Sequence, residues 1–340
     1  MKFHINLQLF ANQVQTTLLS GLTPEMKTYY DMNLIDEASA NLVHDQFGQK
    51  RDIPKNGGKT IEFRKFAPLS KATTPLTEGV TPDGKSLTVT KIEATVNQYG
   101  DYITQSDVLE LTALDNTILE ATKLLGRQAG ATMDTVVRNI INAGTNVSYC
   151  PKVSGSTETA VTSRSGLDTT AKLTVKAIQK AVTKLKGQNA PKINGDYVAI
   201  IHPNVAYDLM RDPEWIDAHK YATPDNLYTG EIGKIAGVRF VESTEAKVWN
   251  DNTCPTKGSG TYHPVYSTLI IGKDAYGTTE IEGGGLQTIV KQKGSAGTAD
   301  PLDQRSSVGW KGIKTAEILV QNYMVRIESC SPDWDDATAN

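Results

Sequence analysis

Hydrophobic positions recur along this chain with two periods, and each predicts its own kind of element. A period of two comes first. In segment 60–66, Ile61 and Phe63 share one side while Glu62 and Arg64 take the other. In segment 86–96, Thr88, Thr90, Ile92, Ala94 and Val96 line a single face. Both segments read as half-buried strands. Between them, 67–85 carries prolines at 68, 75 and 82 and a Pro82-Asp83-Gly84 turn. Structureless connections beyond about 12–15 residues are uncommon inside compact domains, so this one is expected to project. A strand, a protruding tip and a returning strand make an arm that reaches a neighbouring subunit, with a floppy surface loop as the plainer alternative.

The second period is helical. Val108, Leu111, Ile118, Leu125, Ala129, Met133, Val136 and Ile140 advance by three, four or seven and define one buried stripe. Thr117-Ile118-Leu119-Glu120 matches a capping box. The stripe therefore predicts a short helix ending near Leu114 and a long one over 118–142, with Gly144 as its C-terminal cap. At 1.5 Å per residue the long helix is a rod of about 37 Å, suited to be a spine. Upstream, Leu34, Ile35, Ala38, Leu42 and Val43 mark one short helix in a Gln- and Asn-rich arm, and Phe3, Ile5, Leu7 and Leu9 alternate as an extended segment with one apolar face.

Residues 151–171 are rich in Ser, Thr and Gly and read as a linker or loop. Helix 173–186, strand 197–201, helix 204–210 and strands 238–241 and 268–271 follow, the alternation of an α/β domain. Two more strand candidates, 286–290 and 316–327, precede the acidic tail Asp333-Trp334-Asp335-Asp336. No internal repeat is apparent.

The length, 340 residues, fits about two domains. The 35 basic and 38 acidic residues leave a net charge of −3, which argues against gripping nucleic acid by bulk charge. No apolar run approaches the roughly 20 residues of a membrane span. At the N-terminus, Asn6 and Gln8 interrupt an already short apolar region, against a signal peptide. Cys150, Cys254 and Cys330 form no CxxC pair, which disfavours a disulfide framework or a zinc ribbon and fits a reducing compartment.

Motifs for catalysis fail one after another. Gly57-Gly58-Lys59-Thr60 ends like a P-loop, but Ile53 stands where that pattern needs glycine and Thr60 opens a strand rather than a helix. Gly283-Gly284-Gly285 lacks dinucleotide spacing and reads as a turn. The histidines at 4, 44, 202, 219 and 263 show no metal-binding spacing, and His202-Pro203 reads as a structural histidine after a buried strand. No GxSxG elbow is present, Cys150 has no nominated base, and the tail aspartates lack a calcium loop, so a solvated tail is expected. No cofactor is expected. One charge pattern stands out: Lys172, Lys176, Lys180 and Lys184 recur every four residues, within a segment, 151–190, holding seven basic and two acidic residues. Either this is a solvated face or it meets an acidic neighbour, with Asp208, Asp212, Glu214 and Asp217 of another subunit as candidates.

The order of segments resembles the major capsid proteins of tailed bacteriophages with the Hong Kong 97-type fold, in particular the subgroup typified by the coliphage N-four capsid protein. The residues carrying the resemblance are Asn6-Leu7-Gln8-Leu9-Phe10-Ala11, Glu78-Gly79-Val80-Thr81-Pro82-Asp83-Gly84, Gln98-Tyr99-Gly100-Asp101-Tyr102-Ile103, Ala143-Gly144-Thr145-Asn146-Val147 and Gly309-Trp310-Lys311. It implies an α+β fold with an N-terminal arm (1–52), an extended two-stranded E-loop (53–104), a peripheral domain with a spine helix (105–171), an axial α/β domain (172–312) and a returning peripheral strand with the acidic tail (313–340). It also implies a non-enzymatic protein that assembles as hexamers and pentamers into an icosahedral shell around double-stranded DNA, without sequence-specific binding. Pro68, Pro75, Glu78, Pro82, Asp83 and Gly84 at the E-loop tip are then the candidate assembly contacts, and the lysine stripe a candidate inter-subunit surface. Expected partners are a separate scaffolding protein, a portal protein at one vertex and a decoration protein, with no membrane. An encapsulin-like compartment shell shares this fold, and an oligomeric enzyme with its site in 172–312 is a remoter alternative. A Thr/Gly-rich adhesin is weaker still, disfavoured by the cysteines and the N-terminus.

Overall fold

The computed structural model describes residues 34–35, 37–38, 42–66, 69–81, 83–112, 117–155, 157–220, 233–258, 260–295 and 300–340. The extended segment 3–9 lies outside them. The main elements are β1 (Thr60–Phe66), β2 (Val89–Thr95), β3 (Asn97–Ser106), α1 (Thr117–Asn142), β4 (Val147–Tyr149), α2 (Val175–Gly187), β5 (Tyr197–Ile201), α3 (Pro203–Met210), β6 (Val238–Glu242), β7 (Val265–Ile271), β8 (Tyr276–Thr279), β9 (Gln287–Lys291), β10 (Arg305–Ile318) and β11 (Met324–Ser329). They divide into two compact units. The smaller comprises the described residues of 34–38, 100–129 and 286–312; the larger holds those of 40–99, 130–285 and 313–340.

The larger unit is organised by a mixed sheet in the order β4-β11-β7-β5-β6, ending in the short strand Lys234–Ile235. β6 runs parallel to β5 and β4 to β11, while β7 is antiparallel to both β5 and β11. Every residue of β5 and β7 is buried. Strands that are apolar on both faces must be covered on both, and successive side chains point opposite ways to reach the two covers. Ala199, Ile201, Ile270, Val325 and Ile327 join one core with Ile178, Ala181, Val182 and Leu185 of α2. Ile200, Leu269, Ile271 and Met324 join another with Val137 and Ile141 of α1. The helices start where local chemistry permits. The Thr174 hydroxyl accepts from the Ala177 N–H at 3.3 Å to cap α2, and Pro203 opens α3 after His202, whose Nδ1 accepts from the Asn204 N–H at 3.2 Å.

A second layer of polar contacts fixes residues 43–53 within the same unit. The buried Asp134 of α1 accepts from the Val43 and His44 N–H groups at 2.9 and 2.7 Å and meets the His44 ring at 2.6 Å. Lys314 lies between Asp45 at 2.9 Å and Glu280 at 3.1 Å. Gln49–Lys50 then pairs in parallel with β8, which pairs on its other side with 315–318 of β10.

In the smaller unit, residues 305–312 of β10 pair with β9 and with β3. Glycines permit the approach: a Cβ on Gly309 would lie 2.7 Å from the Tyr102 Cβ and 2.8 Å from the Asp101 carbonyl, and one on Gly100 2.6 Å from the Trp310 carbonyl. The buried Trp310 indole donates to Gln128 Oε1 at 3.2 Å, and the Gln128 amide donates to Asp101 Oδ2 at 2.7 Å. Leu34 is buried in this unit, and its carbonyl would lie 2.8 Å from a Cβ on Gly126.

Several expectations need correction. The long helix forms over Thr117–Asn142, but its buried apolar positions are Ala121, Leu125, Ala129, Met133, Val137 and Ile141, whereas Val136 and Ile140 are half-buried. A strict spacing of four drifts by about 40° per step on a helix of 3.6 residues per turn, so the two ends of α1 bury different faces. The short helix is described over Asp107–Thr112, with Leu114 outside the described residues, and its Val108 and Leu111 are exposed, not part of the stripe. The returning strand of the first hairpin is Val89–Thr95, shorter than 86–96. Candidate strand 316–327 is the end of β10 and the start of β11, in different sheets, separated by a 3-10 turn at Gln321–Tyr323. Segment 151–171 contains a small hairpin, Lys152–Ser154 with Thr157–Thr159, and a 3-10 turn at Arg164–Gly166. The acidic tail is fastened at Asp335, while Asp333 and Asp336 are exposed. Asp335 meets the His263 ring at 2.6 Å and Lys257 at 2.9 Å, Asn250 Nδ2 donates to the Ala337 carbonyl at 2.8 Å, and the Asn340 side chain accepts from the Val248 N–H at 2.9 Å.

These contacts set the cost of three substitutions. Lys314→Met leaves Asp45 buried without its main counter-ion and should cost about 3–5 kcal/mol in urea unfolding; an unchanged midpoint would show the pair to be idle. Burial alone would raise the Asp45 carboxyl pKa, but Lys314 and Lys50 outweigh it and hold the value below the ordinary 3.8. Its contribution is therefore complete above pH 3.8 and lost as pH falls through the lower folded-state value, so Asp45→Asn should flatten the acid limb of the stability profile. Gly309→Ala should destabilise the protein by about 1–3 kcal/mol, because the new methyl meets backbone and Tyr102.

Candidate assembly surface

The β1–β2 hairpin pairs Ile61 with Ala94 and Phe63 with Ile92. Phe63 and Ala94 are buried, and the Phe63 ring packs where a Cβ on Gly277 would lie 2.9 Å from it, which anchors the stem to the larger unit. On the outward face Lys91 donates to Glu62 at 3.0 Å. Beyond Phe66 every described residue through Leu87 is exposed. That exposure includes large apolar side chains: Leu69 at 58%, Leu76 at 77%, Val80 at 62% and Leu87 at 65%. The loop has internal order of its own. Lys85 Nζ donates to the Ser70 carbonyl at 3.0 Å and to its hydroxyl at 2.7 Å, and a turn bonds the Val80 N–H to the Thr77 carbonyl at 3.1 Å with Gly79 at φ 79°. Pro75, Glu78, Asp83 and Gly84 lie on this exposed loop. Pro68 and Pro82 lie outside the described residues.

The smaller unit carries a second set of exposed apolar side chains. Val108, Leu109 and Leu111 crowd the six-residue helix Asp107–Thr112, and Leu124 and Leu302 are also exposed. Tyr102, Ile289, Lys291 and Trp310 line a cleft of about 420 Å³. The sequence reading missed this surface because it assigned Val108 and Leu111 to the buried stripe; the only signal was the density of apolar residues on so short a helix.

The chemistry-bearing residues are occupied with structure. His202 is capped into α3, its ring centroid lies 5.2 Å from that of Tyr266, and burial pushes its pKa down. His44 and His263 pair with Asp134 and Asp335. The three cysteines are free and buried, and burial pushes the Cys150 thiol up to about 12 and raises Cys254 and Cys330 as well, which leaves them protonated and unreactive. Among the described residues no three His, Cys, Asp or Glu side chains converge on a metal position, and no helix is long and apolar enough to cross a membrane. Thr60 opens a strand, and Gly283, at φ 78°, lies in the turn between β8 and β9.

Of the lysine stripe, Lys176, Lys180 and Lys184 lie on α2, while Lys172 precedes it; all four are exposed. Lys176 pairs with Glu158 at 2.7 Å. The acidic residues named as candidate partners are partly committed within the chain. Asp212 caps α2 by accepting from the Val175 N–H at 2.9 Å, and Asp208 is buried with its pKa raised by that burial.

Comparison with known proteins places this arrangement. No curated protein sequence matches the chain. A chain in the capsid of Ralstonia phage GP4 is similar at TM-score 0.63 and 14% identity, over 97% of this chain and 98% of that one. The capsid of cyanophage P-SCSP1u gives 0.62 and 15%, over 95% and 94%, and that of cyanophage Pam1 gives 0.62 and 12%, over 96% and 99%. At these identities the likeness concerns the fold, a mixed α+β architecture shared with phage capsid structures. The family model described as phage capsid protein matches residues 89–322. That match spans more than half of the sequence, from β2 into the 3-10 turn before β11, and the chain therefore belongs to the phage capsid protein family.

Proposed function

We propose that the protein is the major capsid protein of a tailed phage, with the Hong Kong 97-type organisation and the subgroup affinity read from its motifs. In this reading it forms hexamers and pentamers that close into an icosahedral head around double-stranded DNA. Residues 1–52 are the N-terminal arm and 53–104 the E-loop. Residues 105–171 with the returning strand of 313–340 make the peripheral domain, and 172–312 the axial domain. A separate scaffolding protein, a portal protein at one vertex and a decoration protein are its expected partners, and assembly in the host cytoplasm precedes residence in the virion.

The observation that carries this reading is the E-loop itself. Its stem is paired and anchored at Phe63, yet its tip holds Leu69, Leu76, Val80 and Leu87 in solvent. Each apolar side chain left in water forgoes roughly 1.5–3 kcal/mol of burial, so an ordered loop with four of them is built for a surface outside its own chain. Pro75, Glu78, Asp83 and Gly84 share that loop and are its proposed contacts, together with Pro68 and Pro82. The encapsulin-like alternative is not favoured, since the matched family model is that of phage capsid protein. The enzymatic alternative is likewise not favoured, since the matched family is a structural one.

Electron microscopy of the expressed protein with size-exclusion chromatography tests this. Hexamers, pentamers or closed shells are expected; a monomer that never assembles, even with a scaffolding partner, overturns the reading. Deleting Leu69 to Lys85 should leave a subunit with an unchanged unfolding midpoint that no longer forms shells. A deletion that unfolds the subunit would instead make the loop part of the core.

A further inference from the structure

The span 169–195 holds six lysines, at 172, 176, 180, 184, 186 and 192, and no acidic residue, in a chain whose 340 residues include 38 Asp and Glu. Helix α2 lies at its centre. All of its large apolar side chains, Val175, Ile178, Val182 and Leu185, are buried, so its outward face is defined by Lys176, Lys180 and Lys184 with Gln179 and Thr183. Lysines at a spacing of four stand about 6 Å apart along the axis and repel each other by a few tenths of a kcal/mol per pair. A face needing only solubility would mix signs and gain from i,i+4 pairs of Glu and Lys. The helix dipole accounts for Lys184 and Lys186 in the last turn but not for Lys176 and Lys180. Glu158 neutralises Lys176, and among the described residues no acid pairs with Lys180 or Lys184.

A protein partner would require an apolar centre from which water is excluded. In 151–190 the only large apolar side chain exposed among the described residues is Val153. The face also lacks arginine and aromatic groups with which to read bases or stack on them. What remains is a row of compact point charges, matched to a polyanion with closely and regularly spaced charge. We infer that the Lys172–Lys184 face binds the phosphate backbone of duplex DNA without reading its sequence. The inference rests on the capsid reading for the presence of DNA, and assigns to one helix a contact that the net charge of −3 hides.

The test measures fluorescence anisotropy of two 30-base-pair duplexes of unrelated sequence against unassembled full-length protein over a range of NaCl concentrations. Wild type should bind both duplexes alike, with affinity falling steeply as salt rises. The variant K176Q/K180Q/K184Q should lose at least about tenfold in affinity at low salt, and its slope of log K against log salt should shrink by about 2–3. The control K55Q/K59Q/K71Q, in the segment leading into β1 and on the E-loop, should leave both unchanged. Equal affinity of wild type and the α2 variant overturns the inference, as does an equal loss in the control, or binding of poly-glutamate in preference to DNA. Shells formed by an α2 variant of unaltered DNA affinity would refute the inference and leave the capsid reading standing. A wild type that binds DNA through α2 but never assembles would do the reverse.

Discussion

In the larger unit, β5 and β7 have no polar face. Their twelve side chains are all buried, and an apolar strand cannot end a stack of layers against water. From this constraint follow α2 and α3 on one side, the C-terminal half of α1 on the other, and the placing of β11 from the far end of the chain beside β7. Breaking the alternation at one position, such as Ile200, would remove a side chain from one core without relieving the other. The contacts of His44, Asp45 and Lys314 are secondary to that sandwich: they fasten the segment leading to the β1–β2 hairpin onto a body that already exists.

The local elements of this sandwich were legible in the sequence. Strand 197–201 and the helices at 173–186 and 204–210 are found within two residues of expectation, because continuous apolar runs and 3.6-residue spacing are local signals. β10 was legible only at its end. Its fourteen residues include Ser306, Gly309, Lys311, Gly312 and Lys314, which break any apolar alternation. Gly309 is there for the close approach of Tyr102, and Lys314 for Asp45, and both partners lie some 200 or more residues away in sequence. The same holds for the grouping of 286–312 with 100–129, segments far apart in the sequence. For α1 the periodicity found the helix and the middle of its buried face, Leu125, Ala129 and Met133, but not its ends, and the buried Asp134 and Arg138 carry no hydrophobic signal.

The candidate surface was legible for a different reason. A long connection with three prolines between two alternating strands says that the chain leaves the body and comes back, whatever it meets outside. The apolar cargo of that loop became visible only with its exposure. The short helix Asp107–Thr112 was legible but its exposure was not, because an apolar residue on a short helix has the same sequence signature whether it packs inside its own subunit or against another. The acidic tail misled for the converse reason: charged residues near a terminus look solvated, but His263 and Lys257 supply counter-charges from within the fold.

The central claim is that residues 69–87 are ordered against a neighbouring subunit rather than against their own. Amide hydrogen exchange followed by mass spectrometry, on unassembled subunits and on assembled shells, measures this directly. The account predicts fast exchange of peptides from 69–87 in the free subunit and strong protection in the shell, while peptides from β5 and β7 stay protected in both. Exchange of the loop that is equally fast in both states, or protection already present in the free subunit, would contradict it.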